Sequence, residues 1–293
     1  MDMRLSLGPA QYFWPRRQML DFYAASLDWP LDVVYLGETV CSKRRELRPR
    51  DWIALAEQQQ AAGREVLLSS LALIEAESEL GALEHLAADG RFRIEANDMS
   101  AVQVCASRGL PFVGGPSLNV YNLDSLRLLQ NDGLFRLVLN VEFNRELLAE
   151  LRVAAAEQAH ALPELELLAW GRLPLSWSAR CFTARALDLA KDQCGFRCID
   201  YPDGLPLDTR EGQPFLTLNG VQVQGAELCD LLPEAAELAE AGIGLLRLSP
   251  QVQDMGAVVQ RFHDALSARA AVSRQPGCTP GYWLGQPGMR PPA

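Results

Sequence analysis

Three of the chain's seven cysteines crowd one stretch, "ARCFTARALDLAKDQCGFRC", as Cys181, Cys194 and Cys198. A free cysteine is usually a small buried hydrophobe. This stretch is rich in Arg, Lys and Asp and offers little apolar interior to bury three of them. Thiolates gathered around a metal would supply the order that such a loop lacks. A fourth cysteine, Cys41, stands in "VYLGETVCSKRRELRPRDW" just past a predicted strand, and Lys43, Arg44, Arg45, Arg48 and Arg50 follow it within ten residues. Cys105 reads as core, Cys229 as the start of a helix and Cys278 as part of the tail, so none of these is an expected ligand.

Four thiols suit a four-cysteine zinc site and an iron–sulfur cluster alike. Zinc sites usually draw a C-x2–4-C knuckle from each half, and Cys41 has no near partner. A cluster is larger and accepts a scattered ligand more easily. A thiolate-bound [4Fe–4S] cluster is also net anionic, and Lys43, Arg44, Arg180, Arg185 and Arg197 would offset that charge or hold an anionic substrate. The blander reading of these cations is a solvated helix start.

Other chemistries find no support. The three histidines, at 85, 160 and 263, form no H-E-x-x-H, and the chain has no G-x-S-x-G elbow, P-loop or C-x3-C-x2-C. Polar residues at predicted strand ends are candidates to line a mouth: Glu38, Asn97, Asp98, Asn119, Tyr121, Asn122, Asn140 and Glu142. Caps and turns account for many such positions.

Short β-rich runs alternate with helical stretches and must position these groups. Strands are predicted at 4–7, 32–36, 65–69, 92–96, 111–115, 135–140, 164–170 and 244–249, with helices between them. Asn219-Gly220 marks a hairpin over 215–225, a helix is expected over 228–241, and 171–213 reads as one long irregular stretch. Eight strand–helix units in this length predict an α/β (β/α)8 TIM-barrel-like domain over 1–270, with a long cysteine-bearing loop after strand 7. A doubly wound sheet is the rival, weakened because "SLGPAQ" is not G-x-G-x-x-G. Strands 2 and 7 are separated in the ring only by strands 1 and 8, so a loop crossing the C-terminal face brings four thiols within reach. The Gly- and Pro-rich tail, 271–293, is expected to be neither helix nor strand, with Tyr282 and Trp283 pinning it to the barrel.

The net charge of −10 argues against charge-driven binding to nucleic acid. No basic, apolar leader and no run near 18 apolar residues is present, so the chain reads as soluble, cytoplasmic and without an integral membrane segment.

The motifs "YLGETVCSKRR", "LSSLALIEAESELG", "IEANDMSAVQVCASRGLPFVGGPSLNVYN", "GRLPLSWSARCFTAR", "KDQCGFRCIDYPDG", "LNGVQVQ" and "RLSPQ" resemble the collagenase-like peptidase family, U thirty-two. The likeness lies with members that serve anaerobic ubiquinone biosynthesis and runs from about residue 4 to 268, with an echo in "GYW" at 281–283. It implies a TIM-barrel-like fold and a [4Fe–4S] cluster on Cys41, Cys181, Cys194 and Cys198. It also implies a heterodimer with a homologous UbiU-like subunit, which hydroxylates the ring of prenylated aromatic quinone precursors without O2. Prephenate is the implied oxygen donor, and the family name does not make the chain a protease. Gly195-Phe196 departs from the more polar pair expected between the last two cysteines, while the ligand spacing is kept.

Within that reading, Arg44 and Arg45 are candidates to hold a dicarboxylate donor, since Arg pairs bidentately with carboxylates. Asn119 and Tyr121 are candidates to line the substrate mouth. A prenylated substrate suggests a lipid-carrying accessory protein, although no amphipathic anchor is evident. The alternatives are a non-catalytic scaffold or electron-relay half of the pair, an RNA-base hydroxylation factor of the same family, and a zinc-stapled binding protein. The acidic balance argues against the RNA reading.

Overall fold

The apolar runs of the sequence become strands buried on both faces, the pattern of parallel sheets covered by helices. They are Arg4–Leu7 (β1), Val33–Leu36 (β2), Glu65–Ser69 (β3), Arg93–Ala96 (β4), Phe112–Gly114 (β5), Leu134–Val138 (β6) and Glu164–Trp177 (β7). Leu205–Asp208 (β8), Pro214–Asn219 (β9), Gln222–Asp230 (β10), Leu245–Leu248 (β11) and Cys278–Thr279 (β12) follow. A computed structural model describes residues 3–286. In it β1 to β7 pair in chain order, all parallel, and β11 closes the ring by pairing with both β7 and β1. The result is a closed eight-stranded parallel barrel.

The surrounding helices are Arg16–Ser26 (α1), Pro49–Ala61 (α2), Glu77–Asp89 (α3), Met99–Ser107 (α4), Leu123–Asn131 (α5), Arg145–Glu157 (α6), Phe182–Ala186 (α7), Ala235–Glu240 (α8) and Met255–Ala268 (α9). Asp98, Asn122, Asn144 and Asp254 cap α4, α5, α6 and α9 by accepting backbone N–H groups at 2.7–3.1 Å. Two of the predicted mouth residues, Asp98 and Asn122, are therefore helix caps. Among the described residues no helix is long and apolar enough to cross a membrane.

The stretch from 171 to 213 is more ordered than the sequence suggests. β7 runs on past the barrel to Trp177, because its upper half pairs antiparallel with β10 from Trp170↔Asp230 to Trp177↔Gln222. β9 and β10 form the predicted hairpin around Gly220, and β8 adds an outer strand. The helix expected over 228–241 is replaced at its start by β10, which this pairing extends to Asp230. Pro233 then lies in a 3-10 turn, and α8 begins only at Ala235. Cys229 thus sits in a strand, 1% exposed. The tail contributes β12, which pairs with β10, and Trp283 is buried in the core. Residues 287–293 of the predicted tail lie outside the described residues.

The outward faces of the strands, including Leu5, Leu7, Val34, Leu36, Leu246 and Leu248, pack on the helices. The barrel interior is different. Val33, Tyr35, Leu67, Val113, Val138 and Leu245 form its apolar part, but Ser6, Glu95, Arg136, Glu166 and Arg247 are buried beside them, at most 4% exposed. Arg247 donates from Nε to Glu166 at 2.7 Å and from Nη1 to Glu95 at 2.6 Å, and lies over the Tyr35 ring. Ser6 and Tyr35 also donate to Glu166, and Ser69 to Glu95. Arg136 reaches Tyr35, Glu65 and Glu164. Buried charges of this kind survive only in pairs.

Candidate functional site

The stretch bearing Cys41 leaves the barrel through a turn that needs a glycine. Gly37 has φ +138°, and a Cβ there would meet the Ser69 carbonyl oxygen at 2.6 Å. After it, the Glu38 carboxylate accepts the N–H groups of Val40 and Cys41 at 2.9 and 3.1 Å. The Arg44 N–H then donates to the Cys41 carbonyl at 3.0 Å, closing a tight turn that sets the thiol and the Arg44 side chain together.

Arg44 is buried, its side chain 1% exposed. Its Nη1 donates to the Gln11 carbonyl and its Nη2 to Asn219 Oδ1, each at 2.7 Å, and Glu38 stands 3.8 Å away. Asn219 donates in turn to Gln11 and Gln222, fixing the tip of the β9–β10 hairpin against β1's exit. Gly220 at that tip has φ +65° and leaves room for the Arg44 guanidinium. Its carbonyl accepts the Phe182 N–H at 2.7 Å, and its own N–H donates to Thr183 Oγ1 at 2.9 Å. The hairpin therefore places Cys181, the residue before α7, beside the turn of Cys41.

Cys198 arrives from the other end of the loop, in the turn Arg197–Asp200. Trp14 holds this segment by donating to the Pro202 carbonyl at 2.7 Å, and Asp203 accepts the Val252 N–H at 2.9 Å. Arg44 lies within electrostatic reach of the Cys41 and Cys198 thiols, and both of these lie within reach of Cys181. Of these sulfurs, that of Cys181 accepts the Ala184 N–H at 3.4 Å. Burial pushes the Cys41 and Cys198 thiols above their ordinary range, with Arg44 pulling the other way. A coordinated metal deprotonates such thiols outright.

These contacts gather three of the four predicted cysteines. Cys194, half-buried, follows the turn Lys191–Gln193, and its carbonyl accepts the Arg197 N–H at 3.2 Å. Lys43 donates to the Lys191 carbonyl at 3.0 Å, which ties this turn to the Cys41 stretch, and the Lys191 ammonium pairs with Glu75. Among the described residues no three His, Cys, Asp or Glu side chains stand close enough to hold a single metal ion. Cys41, Cys105, Cys181, Cys194, Cys198 and Cys229 are free thiols, and Cys105 and Cys229 are buried in the core. Four cysteines match in number the ligand sets of a four-cysteine zinc site and of an iron–sulfur cluster alike.

The remaining predicted residues divide between two places. Arg45 is exposed, its Nε donating to the Ser42 carbonyl at 3.3 Å. Asn119 and Tyr121 follow β5, on the arc of the rim opposite the cysteines in strand order. Asn119, with φ 55°, accepts a hydrogen bond from Asn140 at 2.9 Å. Tyr121 stacks on Phe143 and donates to Glu142 at 2.9 Å; burial and that carboxylate push its hydroxyl up to about 12. Sequence reasoning missed Gln11 and Asn219, which brace Arg44, and the buried Glu95, Glu166 and Arg247. The last three had a readable signal: a lone charge inside an otherwise apolar strand ("RIEA", "LELL", "LLRL") must be paired if both faces are covered.

A family model for peptidase family U32 matches residues 19–277. The chain belongs to peptidase family U32. Among solved structures, dihydropteroate synthase from Thermus thermophilus is 14% identical, with 93% of this chain and 95% of that chain covered and a TM-score of 0.45. A truncated 3-deoxy-D-arabino-heptulosonate 7-phosphate synthase from Thermotoga maritima is 9% identical, with 92% and 88% covered and a TM-score of 0.48. Likeness at that level decides nothing about this U32 member, whose barrel is read from its own strand pairing.

Proposed function

We propose that this U32 chain is a UbiV-like iron–sulfur subunit of an O2-independent hydroxylase in ubiquinone biosynthesis. It acts with a UbiU-like partner on the ring of a prenylated aromatic precursor, and prephenate supplies the oxygen. What supports this reading is that the hairpin tip at Gly220 ties the Cys181 turn to buried Arg44, three residues past Cys41, at the C-terminal mouth of the barrel. Cys194 is the fourth ligand in this assignment, carried by the turn whose Lys191 carbonyl accepts from Lys43. A cluster held there supplies one-electron transfer.

The chain's own residues have separate tasks. Arg44, buried and held by Gln11 and Asn219, offsets negative charge at the thiols. Arg45, exposed beside it, is the better placed of the two to meet a dicarboxylate donor. Asn119 and Tyr121 face the substrate from the far rim.

The chain co-produced with its partner under strict anaerobiosis is expected to convert a prenylated phenol, given prephenate, to a product heavier by one oxygen, read by mass spectrometry. Donor labelled with heavy oxygen should pass the label to the ring. Label from water instead would remove prephenate from the scheme. Full turnover by the partner with a chain carrying all four cysteines as alanine would assign this subunit a scaffold role.

A further inference from the structure

Beside β7, where β1, β6 and β11 end, a cavity of about 10 Å³ is lined by Arg247, Ser249 and Gln11 and by apolar walls that include Pro9, Pro116 and Leu139. Such a volume holds one oxygen-sized group. Arg247 and Ser249 are 4% and 3% exposed. Two of the three guanidinium nitrogens are taken by Glu166 and Glu95, but Nη2, like Ser249 Oγ, is buried with no hydrogen-bond partner among the described residues. A buried donor left unsatisfied destabilises the fold. An acceptor seated in this pit, a water in the free chain or a ligand oxygen that displaces it, would satisfy both.

We propose that this pit receives one uncharged oxygen of a ring-shaped ligand, phenolic or quinonoid, with Arg247 Nη2 and Ser249 Oγ as its donors. The ring itself lies above, against the prolines of the mouth. Charge selects the neutral oxygen: Arg247 already faces the carboxylates of Glu95 and Glu166, which would repel a third carboxylate. Gln11 joins this pit to the thiols, because its side of the cavity continues into the carbonyl that accepts from Arg44. A ring docked by its oxygen therefore lies next to the cysteine site. That the ligand is an oxygenated ring rests on the function proposed above; the paired donors do not.

The test titrates the full chain, without partner or donor, with phenol, toluene and benzoate by ligand-observed NMR. Phenol should bind more tightly than either of the others. Ser249→Ala removes an unpartnered hydroxyl, so it should melt with wild type while weakening phenol about threefold to tenfold and leaving toluene unchanged. Arg247→Lys, which keeps the charge and loses the fork, should weaken phenol likewise. Equal binding of phenol and toluene, preference for benzoate, or an unaltered phenol affinity in Ser249→Ala overturns the assignment. Because no turnover is read, phenol binding with these preferences and no hydroxylation would keep the pit and reject the proposed reaction. Hydroxylation with an unaltered KM in Ser249→Ala would do the reverse.

Discussion

Replacing Arg247 with methionine is expected to lower the free energy of unfolding by about 3–5 kcal/mol. Methionine fills much of the stem's volume but leaves Glu95 and Glu166, whose side chains are 1% and 0% exposed, without their shared cation. For a domain of this size that corresponds to a fall in melting temperature of roughly 6–20 °C. Circular dichroism reads it directly. A shift under about 2 °C would show that the interior network contributes little beyond filling space. Changing Glu95 and Glu166 to glutamine in the same variant should recover much of the loss, because removing a whole buried ionic set costs far less than removing one member.

The same network sets an acid limit on stability. Burial pushes the Glu166 carboxyl up, but Arg247 and Arg136 together push it further down, leaving it below the ordinary range. A carboxylate held low in the folded chain stabilises it above the unfolded value of about 4.3 and loses that contribution as pH falls through the lower folded value. Urea midpoints should therefore drop on acidification below about pH 4.3. Glu166→Gln should flatten that drop.

Arg44→Met is the second large effect. It removes the guanidinium that bonds Gln11 and Asn219 and lies within electrostatic reach of Cys198, and it strands the Glu38 carboxylate 3.8 Å away. Residues that orient metal ligands in this way typically change affinity about 10–100-fold. Anaerobically purified Arg44→Met should lose iron and sulfide to a chelator at concentrations that leave wild type loaded. Arg44→Lys should fall between the two, since it keeps the charge without the planar fork. An intact cluster with only turnover weakened would instead make Arg44 a donor-binding residue.

The barrel was legible because parallel strands covered on both faces must read as apolar runs, and "DVVYL" or "EVLLS" does so plainly. That Cys41 and Cys181 leave the same end of the barrel followed from strand order. What sequence did not show depended on partners far along the chain. The upper half of β7 is a strand only because β10, some 50 residues on, pairs with it. That pairing also turns Cys229 from a predicted helix start into a buried strand residue. Arg44 read as a candidate donor-binding cation or as part of a solvated run, since nothing local announces that Gln11 and Asn219 close over it and bury it. Arg247 was readable as a lone charge in "LLRL", although its partners Glu95 and Glu166 are set by barrel closure.

The proposal that Cys41 completes a cluster with the three loop cysteines has one most direct measurement. Iron, acid-labile sulfide and zinc are determined after strictly anaerobic purification of wild type and of Cys41→Ala, with the partner co-produced. A cluster ligated by four cysteines predicts about four iron and four sulfide per chain in wild type and loss of both in the variant. Stoichiometric zinc without sulfide, or iron and sulfide unchanged in Cys41→Ala, would contradict it.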